Sequence, residues 1–316
     1  MRLPHTVESL IDTFKNEPLR FEPGARQAYT NSEYVLLARI IGFVTGIPYE
    51  RYIQEQLLDK IGLSDTGFDD GLQPIRRAQG YHLDKRFVHA PHVDMSVAYG
   101  GWSMYSTVGD LYRWDRALKE NGRLLGQHAL ESMFTPYFPR YGGYGWDVSD
   151  ISIGGQTRRR IAHFGDIAGF VNYFCRFDAE DLTIIALSNT DMMPVEAFCT
   201  DIAKILFGEE APPVHRPQPS KAAVRAESYA GTYEIEKGSS ILIKEENGLL
   251  YVSPDKYDNW FTYPLRLHSD RIRNQPAFVA GHVNDKVVFD VGDDGMADKL
   301  TYYDASGGVF EAYRKV

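Results

Sequence analysis

The chain has 316 residues, of which 43% are hydrophobic, and its formal net charge is −9. A chain of this length predicts two domains with buried cores. The acidic balance argues against nucleic acid as a partner, because phosphate binding needs clustered lysine and arginine, and no stretch approaches the roughly 18 consecutive apolar residues of a membrane-spanning helix.

The first quarter of the chain predicts helices. Its opening residues, MRLPHTVESL, lack the apolar core of a signal peptide, so the chain would be cytoplasmic if Met1 is the true start. Apolar residues at spacings of three and four, followed by a terminating glycine, mark two of the helices. The predicted helices run from Thr6 to near Asn16, from Ser32 to Gly46 and from Tyr49 to Ile61. Asn31 or Ser32 would cap the second helix, since either side-chain oxygen can accept an unpaired backbone N–H.

The middle of the chain predicts a helix followed by strands. Thr107 and Asp110 form an approximate capping box, in which two residues satisfy each other's backbone N–H groups at the start of a helix, and Asn121-Gly122 would end that helix. The predicted strands are 159–164, 169–177 and 182–189. The polar turn 178–181 joins the last two strands into an antiparallel hairpin, and Pro194 opens a final helix.

A proline-rich linker marks the clearest domain boundary. Residues 209–220, EEAPPVHRPQPS, offer little to bury and favour a stiff, extended segment. Residues 1–208 before it mix helices and strands. Residues 221–316 after it contain short strands separated by glycine, aspartate and asparagine turns, which predict a small antiparallel β-barrel or sandwich.

Cysteine and histidine give no strong sign of a disulfide framework or a metal centre. The two cysteines, Cys175 and Cys199, lie in apolar surroundings and are expected to be small buried side chains. A cluster of three histidines and one aspartate raises the alternative of a zinc site: His82, His89, His92 and Asp94. The spacing does not match a helical zinc motif, and Pro91 interrupts it, so a solvated loop is the favoured interpretation.

A tyrosine and an asparagine precede the apolar second helix, in the stretch FEPGARQAYTNSEY. Tyr29-Thr30-Asn31 is weak evidence by itself, and the segments around it strengthen it. The helix that follows ends in VTG, GGWSMYSTVGDLYRWDRAL lies further along, and HFGDIAGF precedes a strand that ends in Ser188-Asn189. In this order, the segments resemble the β-lactamase-like serine hydrolases, which include class C β-lactamases, penicillin-binding proteins, D-aminopeptidases and related esterases.

The resemblance implies a fold. Residues 1–208 are expected to form an α+β domain, an antiparallel sheet flanked by helices that is N-terminally incomplete in this chain, and residues 221–316 a lipocalin-like β-barrel. YTN stands where the family carries Tyr-Ser-Asn or Tyr-x-Asn, and HFG stands where it carries Lys-Thr-Gly or His-x-Gly. The resemblance implies no metal or organic cofactor. The expected partner is a small-molecule or peptide substrate, and the oligomeric state is left open.

The resemblance also implies roles that suit acyl transfer, which needs a nucleophile, a base, an oxyanion hole and a grip on the substrate. Tyr29 would be the base, provided that nearby cations stabilise its phenolate. Asn31 would hold a substrate amide, and His163 would polarise the phenol or bind a substrate carboxylate. Gly165 would let the substrate backbone approach the strand, and the backbone N–H of Asp166 would be one oxyanion donor. The plainer alternatives are a loop tyrosine, a helix cap and a structural histidine.

The family's nucleophile is the part that this sequence lacks. The family carries it in a Ser-x-x-Lys motif, upstream of Tyr-x-Asn by more than the 28 residues available here. The one Ser-x-x-Lys in the sequence, which begins at Ser253, falls in the predicted barrel and is expected to be a chance match. The missing part would also hold sheet strands, so the hairpin 169–189 is expected to leave an exposed sheet edge. A truncated chain, a second chain that supplies the segment, and a natural pseudo-enzyme are the three explanations.

The sequence leaves three hypotheses of function. The first is a serine hydrolase that acts on peptide, amide or ester bonds through an acyl-enzyme, with its nucleophile outside this chain. The second is a non-catalytic protein that binds a ligand or peptide in the same cleft. The third assigns the function to the C-terminal barrel, as a carrier of small ligands.

Overall fold

A computed structural model describes residues 4–69, 77–84, 86–120, 123–138, 142–210, 225–236, 239–254, 263–272, 275–280, 285–303 and 308–315. The chain forms two compact units. The first comprises Met1–Ala78, Pro91–Leu187 and Ile202–Glu209, and the second comprises Gln79–Ala90, Ser188–Asp201 and Glu210–Val316. The linker 209–220 lies mostly outside the described residues, so the predicted domain boundary stays a prediction.

The helices begin and end close to the positions that the sequence predicts. In the described ranges they are α1 Val7–Asp12, α2 Asn31–Thr45, α3 Tyr49–Ile53, α4 Asp59–Ile61, α5 Val108–Lys119, α6 Gln127–Phe134 and α7 Val195–Leu206. A π-helical turn joins α3 to α4, and Gly46 and Gly62 end α2 and α4 in the left-handed conformation that glycine adopts without strain. The first helix is shorter than predicted, and α6 was not predicted. None of the described helices is both long enough and apolar enough to cross a membrane.

Two of the capping predictions were wrong in detail. Thr30, not Asn31 or Ser32, is the N-cap of α2, and its side chain makes no capping hydrogen bond. Thr107 does cap α5, since its hydroxyl accepts the backbone N–H of Asp110. The carboxylate of Asp110 does not close a capping box, because it is buried and accepts hydrogen bonds from the backbone N–H of Asp65 and the hydroxyl of Thr66, both at 2.8 Å.

The strands belong to small ladders, one open sheet and one barrel. In the described residues they are β1 Gly67–Phe68, β2 Tyr81–Asp84, β3 Arg86–His89, β4 Met104–Tyr105, β5 Asp147–Ile153, β6 Gln156–Ile167, β7 Phe170–Phe177, β8 Leu182–Ser188, β9 Gly231–Glu236, β10 Ser239–Glu246, β11 Leu249–Pro254, β12 Tyr263–Ile272, β13 Gln275–Ala280, β14 Asp285–Val291, β15 Ala297–Tyr303 and β16 Val309–Arg314. The predicted strands 159–164, 169–177 and 182–189 correspond to β6, β7 and β8. The sequence did not predict β5.

The open sheet has the order β5-β6-β7-β8. Helices pack against it through an apolar cluster in which Leu118 of α5 lies with Trp146, Ile161 and Phe174, and α6 adds partly buried side chains such as Phe134. The arrangement confirms the predicted α+β class, with helices against an antiparallel sheet. The amphipathic spacing of α5 explains the contact, because it places its apolar side chains along one stripe.

The turn between β6 and β7 has only two residues between the paired ends of the strands, Ile167 and Phe170. Ala168 and Gly169 both have positive φ, at 46° and 81°. This combination is typical of the tight hairpin turns that match the twist of antiparallel strands. Glycine accepts the conformation freely, whereas alanine is strained in it by its Cβ. The turn holds β6 and β7 in register beside the candidate site.

A group of charged side chains lies between α5 and the far end of the sheet. Asp115 is fully buried and accepts a hydrogen bond from the hydroxyl of Thr183 at 2.8 Å. Its carboxylate also lies 3.4 Å from the ammonium of Lys119 and 3.5 Å from the guanidinium of the buried Arg176. A buried carboxylate is costly unless it is paired and hydrogen-bonded; here cations lie close to it and one of its two oxygens accepts a hydrogen bond. The network ties α5 to β7 and β8.

One face of α2 is exposed although it is apolar. Val35 and Ala38 are buried, but Leu37, Ile40, Phe43 and Val44 are more than half exposed, with Phe43 at 79% and Val44 at 75%. These four residues recur at spacings of three and four, so they lie along one side of the helix. We call them the α2 apolar face.

The barrel of the second unit closes on itself. Its strands follow the order β10-β11-β12-β13-β14-β15-β16-β9, and β16 pairs with β9. Alternate side chains such as Ile241 and Ile243, or Val287 and Phe289, point inward and are at most 2% exposed, as the two-residue period of a strand requires. The buried side chains that pack together here are Ala226, Tyr229, Tyr233, Ile241, Ile243, Leu250, Val252, Leu265, Phe278, Val287, Phe289, Ala297, Leu300, Tyr302 and Ala312. The predicted antiparallel barrel is therefore confirmed.

Candidate active site

The edge of β6 is only partly covered by its neighbour. β5 pairs with β6 from Gln156 to Ala162, whereas β7 pairs with β6 as far as Ile167. From His163 to Ile167, therefore, the β5 side of the strand has no partner strand in the described sheet. A strand edge of this kind leaves backbone N–H and C=O groups for a ligand to pair with. The HFGD segment of the sequence lies along this uncovered stretch.

A cavity of about 180 Å³ borders the uncovered edge. Three separate segments of the chain line it: the start of α2, the loop before β4, and β6. The lining residues are Tyr29, Asn31, Gly101, Trp102, His163, Phe164, Gly165 and Asp166. All five residues that the sequence singled out for a site are among them, although they come from positions more than 130 apart in the chain.

Tyr29 and Asn31 contact each other directly at the mouth of α2. The phenol of Tyr29 donates a hydrogen bond to the side-chain oxygen of Asn31 at 3.0 Å. The phenol ring is 49% exposed, so a ligand in the cavity can reach it. Since Asn31 is the first helical residue and does not cap α2, its side chain serves the cavity.

Glycines bring the third segment against α2. Gly100 has a φ of 73°, and a Cβ at this position would lie 2.5 Å from the carbonyl oxygen of Tyr34. A Cβ at Gly101 would lie 3.5 Å from the side-chain oxygen of Asn31. Only glycine at position 100 permits this approach. The close packing sets Trp102 into the lining of the cavity.

Burial disfavours the protonated form of His163. Burial lowers the pKa of His163, while a backbone hydrogen bond at Phe164 and the charge of Asp147 act in the opposite direction. A neutral imidazole offers one donor and one acceptor nitrogen. The lowered pKa favours this neutral form, which can exchange hydrogen bonds with a hydroxyl.

Asp166 lines the cavity near the end of β6. Burial raises the pKa of Asp166, and a hydrogen bond from its own backbone N–H acts in the opposite direction. Next to it, the position of a Cβ on Gly165 has no atom within 4 Å, so this part of the strand faces open space. Among the described lining residues there is no serine, lysine or arginine.

Sequence reasoning missed part of the lining. Trp102 and Phe164 both line the cavity, although the sequence singled out neither of them for the site. The glycine pair before Trp102 was the available signal, because two consecutive glycines often mark a close approach of backbone. The Ser-x-x-Lys match that begins at Ser253 starts on β11 of the barrel, and Ser253 is only 1% exposed.

The histidine cluster is only partly the predicted solvated loop, because His92 is exposed in a loop whereas His82 and His89 lie on strands. Tyr81–Asp84 and Arg86–His89 form a β-hairpin, and His82 is buried. The Nδ1 atom of His82 is hydrogen-bonded to the carboxylate of Asp191. Across the part of the chain that the structure describes, no three of the histidine, cysteine and acidic side chains are grouped as metal ligands.

Comparisons with known proteins identify the family of the chain. A model of the β-lactamase family matches residues 2–204. The chain is 26% identical over 327 residues to penicillin-binding protein 4* of Bacillus subtilis, and the match covers 95% of this chain and 70% of that protein. It is 34% identical over 139 residues to the mitochondrial serine β-lactamase-like protein of Bos taurus, covering 43% of this chain and 25% of that protein.

Solved structures share the fold. The octameric penicillin-binding protein homologue from Pyrococcus abyssi superposes with a TM-score of 0.60 at 21% identity, over 98% of this chain and 70% of that one. Because the family model covers well over half of the sequence and the fold agrees, the chain belongs to the β-lactamase-like serine hydrolase family.

Proposed function

We propose that this chain is the substrate-binding part of a serine hydrolase that cleaves peptide, amide or ester bonds, and that its nucleophile lies on a segment outside these 316 residues. One observation carries the proposal. Tyr29, Asn31, His163, Gly165 and Asp166 line a single cavity beside an uncovered strand edge. The strand edge would align an extended substrate, and the side chains would surround its scissile bond.

Each of these groups has a place in acyl transfer. The external serine oxygen would attack the carbonyl carbon while Tyr29 accepts the serine proton, and Tyr29 would then return that proton to the departing amine or alcohol. Asn31 and His163 would orient the substrate. The backbone N–H of Asp166 would donate to the oxyanion in place of its present bond to its own carboxylate. Water would release the acyl group and restore the serine.

The base role of Tyr29 requires a positive charge that the described lining does not contain. A phenol gives up its proton near neutral pH only where a cation stabilises the phenolate. No lysine or arginine is among the described lining residues. A segment that carries Ser-x-x-Lys would bring both the nucleophile and a positive charge.

The α2 apolar face gives independent support for such a segment. Four large apolar side chains in one stripe, more than half exposed, form a surface that is unusual for a helix next to a site. The matches cover 70% of the length of one relative and 25% of another, so both relatives contain residues beyond the matched part. An additional helix laid on α2 would bury the stripe.

The test is covalent labelling. The genomic reading frame upstream of Met1 is sequenced, and the longer product, if it encodes Ser-x-x-Lys, is incubated with a fluorophosphonate and weighed by intact-mass spectrometry. We expect one adduct per chain, and about a hundredfold slower labelling in Tyr29→Phe. Tyr34→Phe is the matched control, since its ring lies 5.9 Å from that of Tyr29 but outside the cavity lining. Equal rates for the two variants would exclude Tyr29 as the base.

A second candidate is a non-catalytic binding protein, which is favoured by the lack of serine and lysine in the described lining. In that case the chain would bind peptides or amides reversibly in the same cavity and form no adduct in any extended form. The third hypothesis, a carrier barrel, has less support, because the described barrel interior is occupied by packed side chains. Unchanged ligand uptake after deletion of residues 221–316 would remove it.

A further inference from the structure

We propose that Asn31 is a two-state hydrogen-bond partner of Tyr29. Its side-chain oxygen accepts a hydrogen bond from the neutral phenol, and after a half-turn of the amide its NH2 group donates one to the phenolate. This inference rests on the proposed function, in which Tyr29 takes up the serine proton. It makes Asn31 a positioning residue for the base, in addition to its contact with the substrate.

The observed contact between the two side chains has a definite direction. The hydroxyl of Tyr29 donates to the side-chain oxygen of Asn31 at 3.0 Å, so the contact stabilises the protonated phenol. A phenolate has no proton to donate, and its oxygen would be repelled by an amide oxygen at this distance. The contact is therefore a resting arrangement for a base, and it must change before Tyr29 can accept a proton.

The same side chain of Asn31 can serve the ionised form of Tyr29. A carboxamide carries an acceptor oxygen and a donor NH2 group on one carbon, so a half-turn about the last side-chain bond exchanges the two. The NH2 group would then donate to the phenolate, and a hydrogen bond to a charged oxygen is stronger than one between neutral groups. Once Tyr29 has taken the proton from the serine oxygen, this arrangement lets its O–H point at the departing amine or alcohol.

The surroundings of Asn31 allow its amide to turn. Among the described residues, Tyr29 is the only one that makes a hydrogen bond with the Asn31 side chain. Both side chains are exposed and line the cavity. Position 101 is a glycine, and a Cβ there would already lie 3.5 Å from the side-chain oxygen of Asn31. Within the described structure, therefore, no second hydrogen bond and no side chain at position 101 holds the amide in one orientation.

The experiment follows both groups by NMR in the 316-residue chain as its pH is raised past the ordinary tyrosine pKa of about 10. The tyrosine rings carry a carbon-13 label beside the hydroxyl, and the asparagine side chains carry nitrogen-15. Signals that disappear in Tyr29→Phe and in Asn31→Ala identify the two groups. We expect the NH2 signals of Asn31 to shift at the same pH midpoint as the ring carbon of Tyr29, because donation by the NH2 group begins when the phenolate forms.

The direction of one substitution separates the two arrangements. If Asn31 only accepted from the phenol, Asn31→Ala would increase the ionised fraction of Tyr29 at a fixed pH. If its NH2 group stabilises the phenolate, Asn31→Ala should decrease that fraction, by about threefold between about pH 9 and 10. Asn189→Ala is the control, because Asn189 donates to the carbonyl of Gln79 and lies outside the cavity lining. It should leave the ionised fraction of Tyr29 unchanged.

The outcomes separate this inference from the proposed function. NH2 signals of Asn31 that do not respond when Tyr29 ionises would overturn the inference, as would an ionised fraction that rises or stays the same in Asn31→Ala. The proposed function would still stand on the labelling of the longer product. If the two groups respond together but Tyr29→Phe labels at the normal rate, the exchange of hydrogen bonds is supported and the base role of Tyr29 fails.

Discussion

The barrel buries its apolar side chains, whereas the helix α2 leaves several of its own exposed. In the barrel, Phe289 is fully buried and its ring lies between 5.0 and 5.8 Å from the rings of Tyr229, Tyr233 and Phe278. On α2, Phe43 is 79% exposed. Both elements obey the expected periodicity, two residues for a strand and three to four for a helix. In the barrel, the apolar side chains of different strands pack against one another. The α2 apolar face is exposed instead.

The difference follows from closure. A sheet that closes on itself has no free edge and encloses its own core, so the barrel needs no other chain to complete it. The open sheet β5-β6-β7-β8 has two edges and packs helices from outside. Part of its surroundings, the α2 apolar face, is left without cover in the described residues. The core of the barrel is enclosed by its own strands, whereas the α2 apolar face beside the site is exposed.

The largest expected effect comes from a matched pair of phenylalanine variants. Phe289→Ala should lower the free energy of unfolding by about 4 kcal/mol, because it leaves a cavity in the barrel core. Phe43→Ala should change it by less than about 0.5 kcal/mol, as is usual for an exposed position. Chemical unfolding, with hydrogen exchange of β14 as the local probe, measures both. Similar losses for the two variants would mean that Phe43 is covered and that the comparison is wrong.

A second test addresses how the open sheet is held to its helices. Asp115→Ala should cost about 3 kcal/mol, because it leaves the buried guanidinium of Arg176 without this partner. Asp181→Ala is the control. Its carboxylate bonds to Arg116 and Lys119 at 2.6 and 2.8 Å but is exposed, so a smaller loss is expected in the same unfolding assay. Equal losses would show that burial of Asp115 does not decide its contribution.

A smaller effect is expected at the turn beside the site. Ala168→Gly should stabilise the chain by about 1 kcal/mol, since glycine removes the strain of a positive φ. Ala162→Gly, at a buried and regular position of the preceding strand β6, should instead destabilise it by about 1 kcal/mol. Thermal unfolding compares the two variants. A loss of stability in Ala168→Gly would mean that the turn does not carry this strain.

The smallest effect is on the pH dependence of stability. The pKa of His163 is lowered in the folded chain, so between that pKa and the ordinary value of about 6.5 the unfolded chain binds more protons. The free energy of unfolding should therefore rise with pH across this window, and the contribution should be complete above about pH 6.5. His163→Gln should flatten this part of the profile, measured by urea unfolding at several pH values. A profile that the substitution leaves unchanged would contradict the burial of His163.

The elements were largely predictable from local chemistry. Thr6 and Thr107 begin α1 and α5, because their hydroxyls accept backbone N–H groups. Gly46 and Gly62 end α2 and α4, because glycine adopts a left-handed conformation without strain. Neighbours along the chain decide each of these features. The prediction of Asn31 as a cap was wrong. Asn31 is already the first residue of α2, and its side-chain oxygen accepts a hydrogen bond from the hydroxyl of Tyr29.

Contacts between distant segments were not predictable from periodicity. His82 has a polar sequence neighbourhood, but it is buried because Asp191, over 100 positions away, pairs with it. Trp102 has the pattern of a core residue, but Gly100 brings its loop to the cavity. In each case the partner lies far along the chain, and local patterns carry no information about it.

The sequence by itself determined the kinds of element, the α+β class with its barrel, and the residue types that suit acyl transfer. Only the tertiary structure decided that the pairing of β5 with β6 stops at Asp147 and leaves His163 to Ile167 uncovered, and that Tyr29 lines the cavity at this edge. The physical reason is that strand register and helix packing are set by contacts summed over the whole fold. Local preferences choose the elements, and those summed contacts choose which side chains meet.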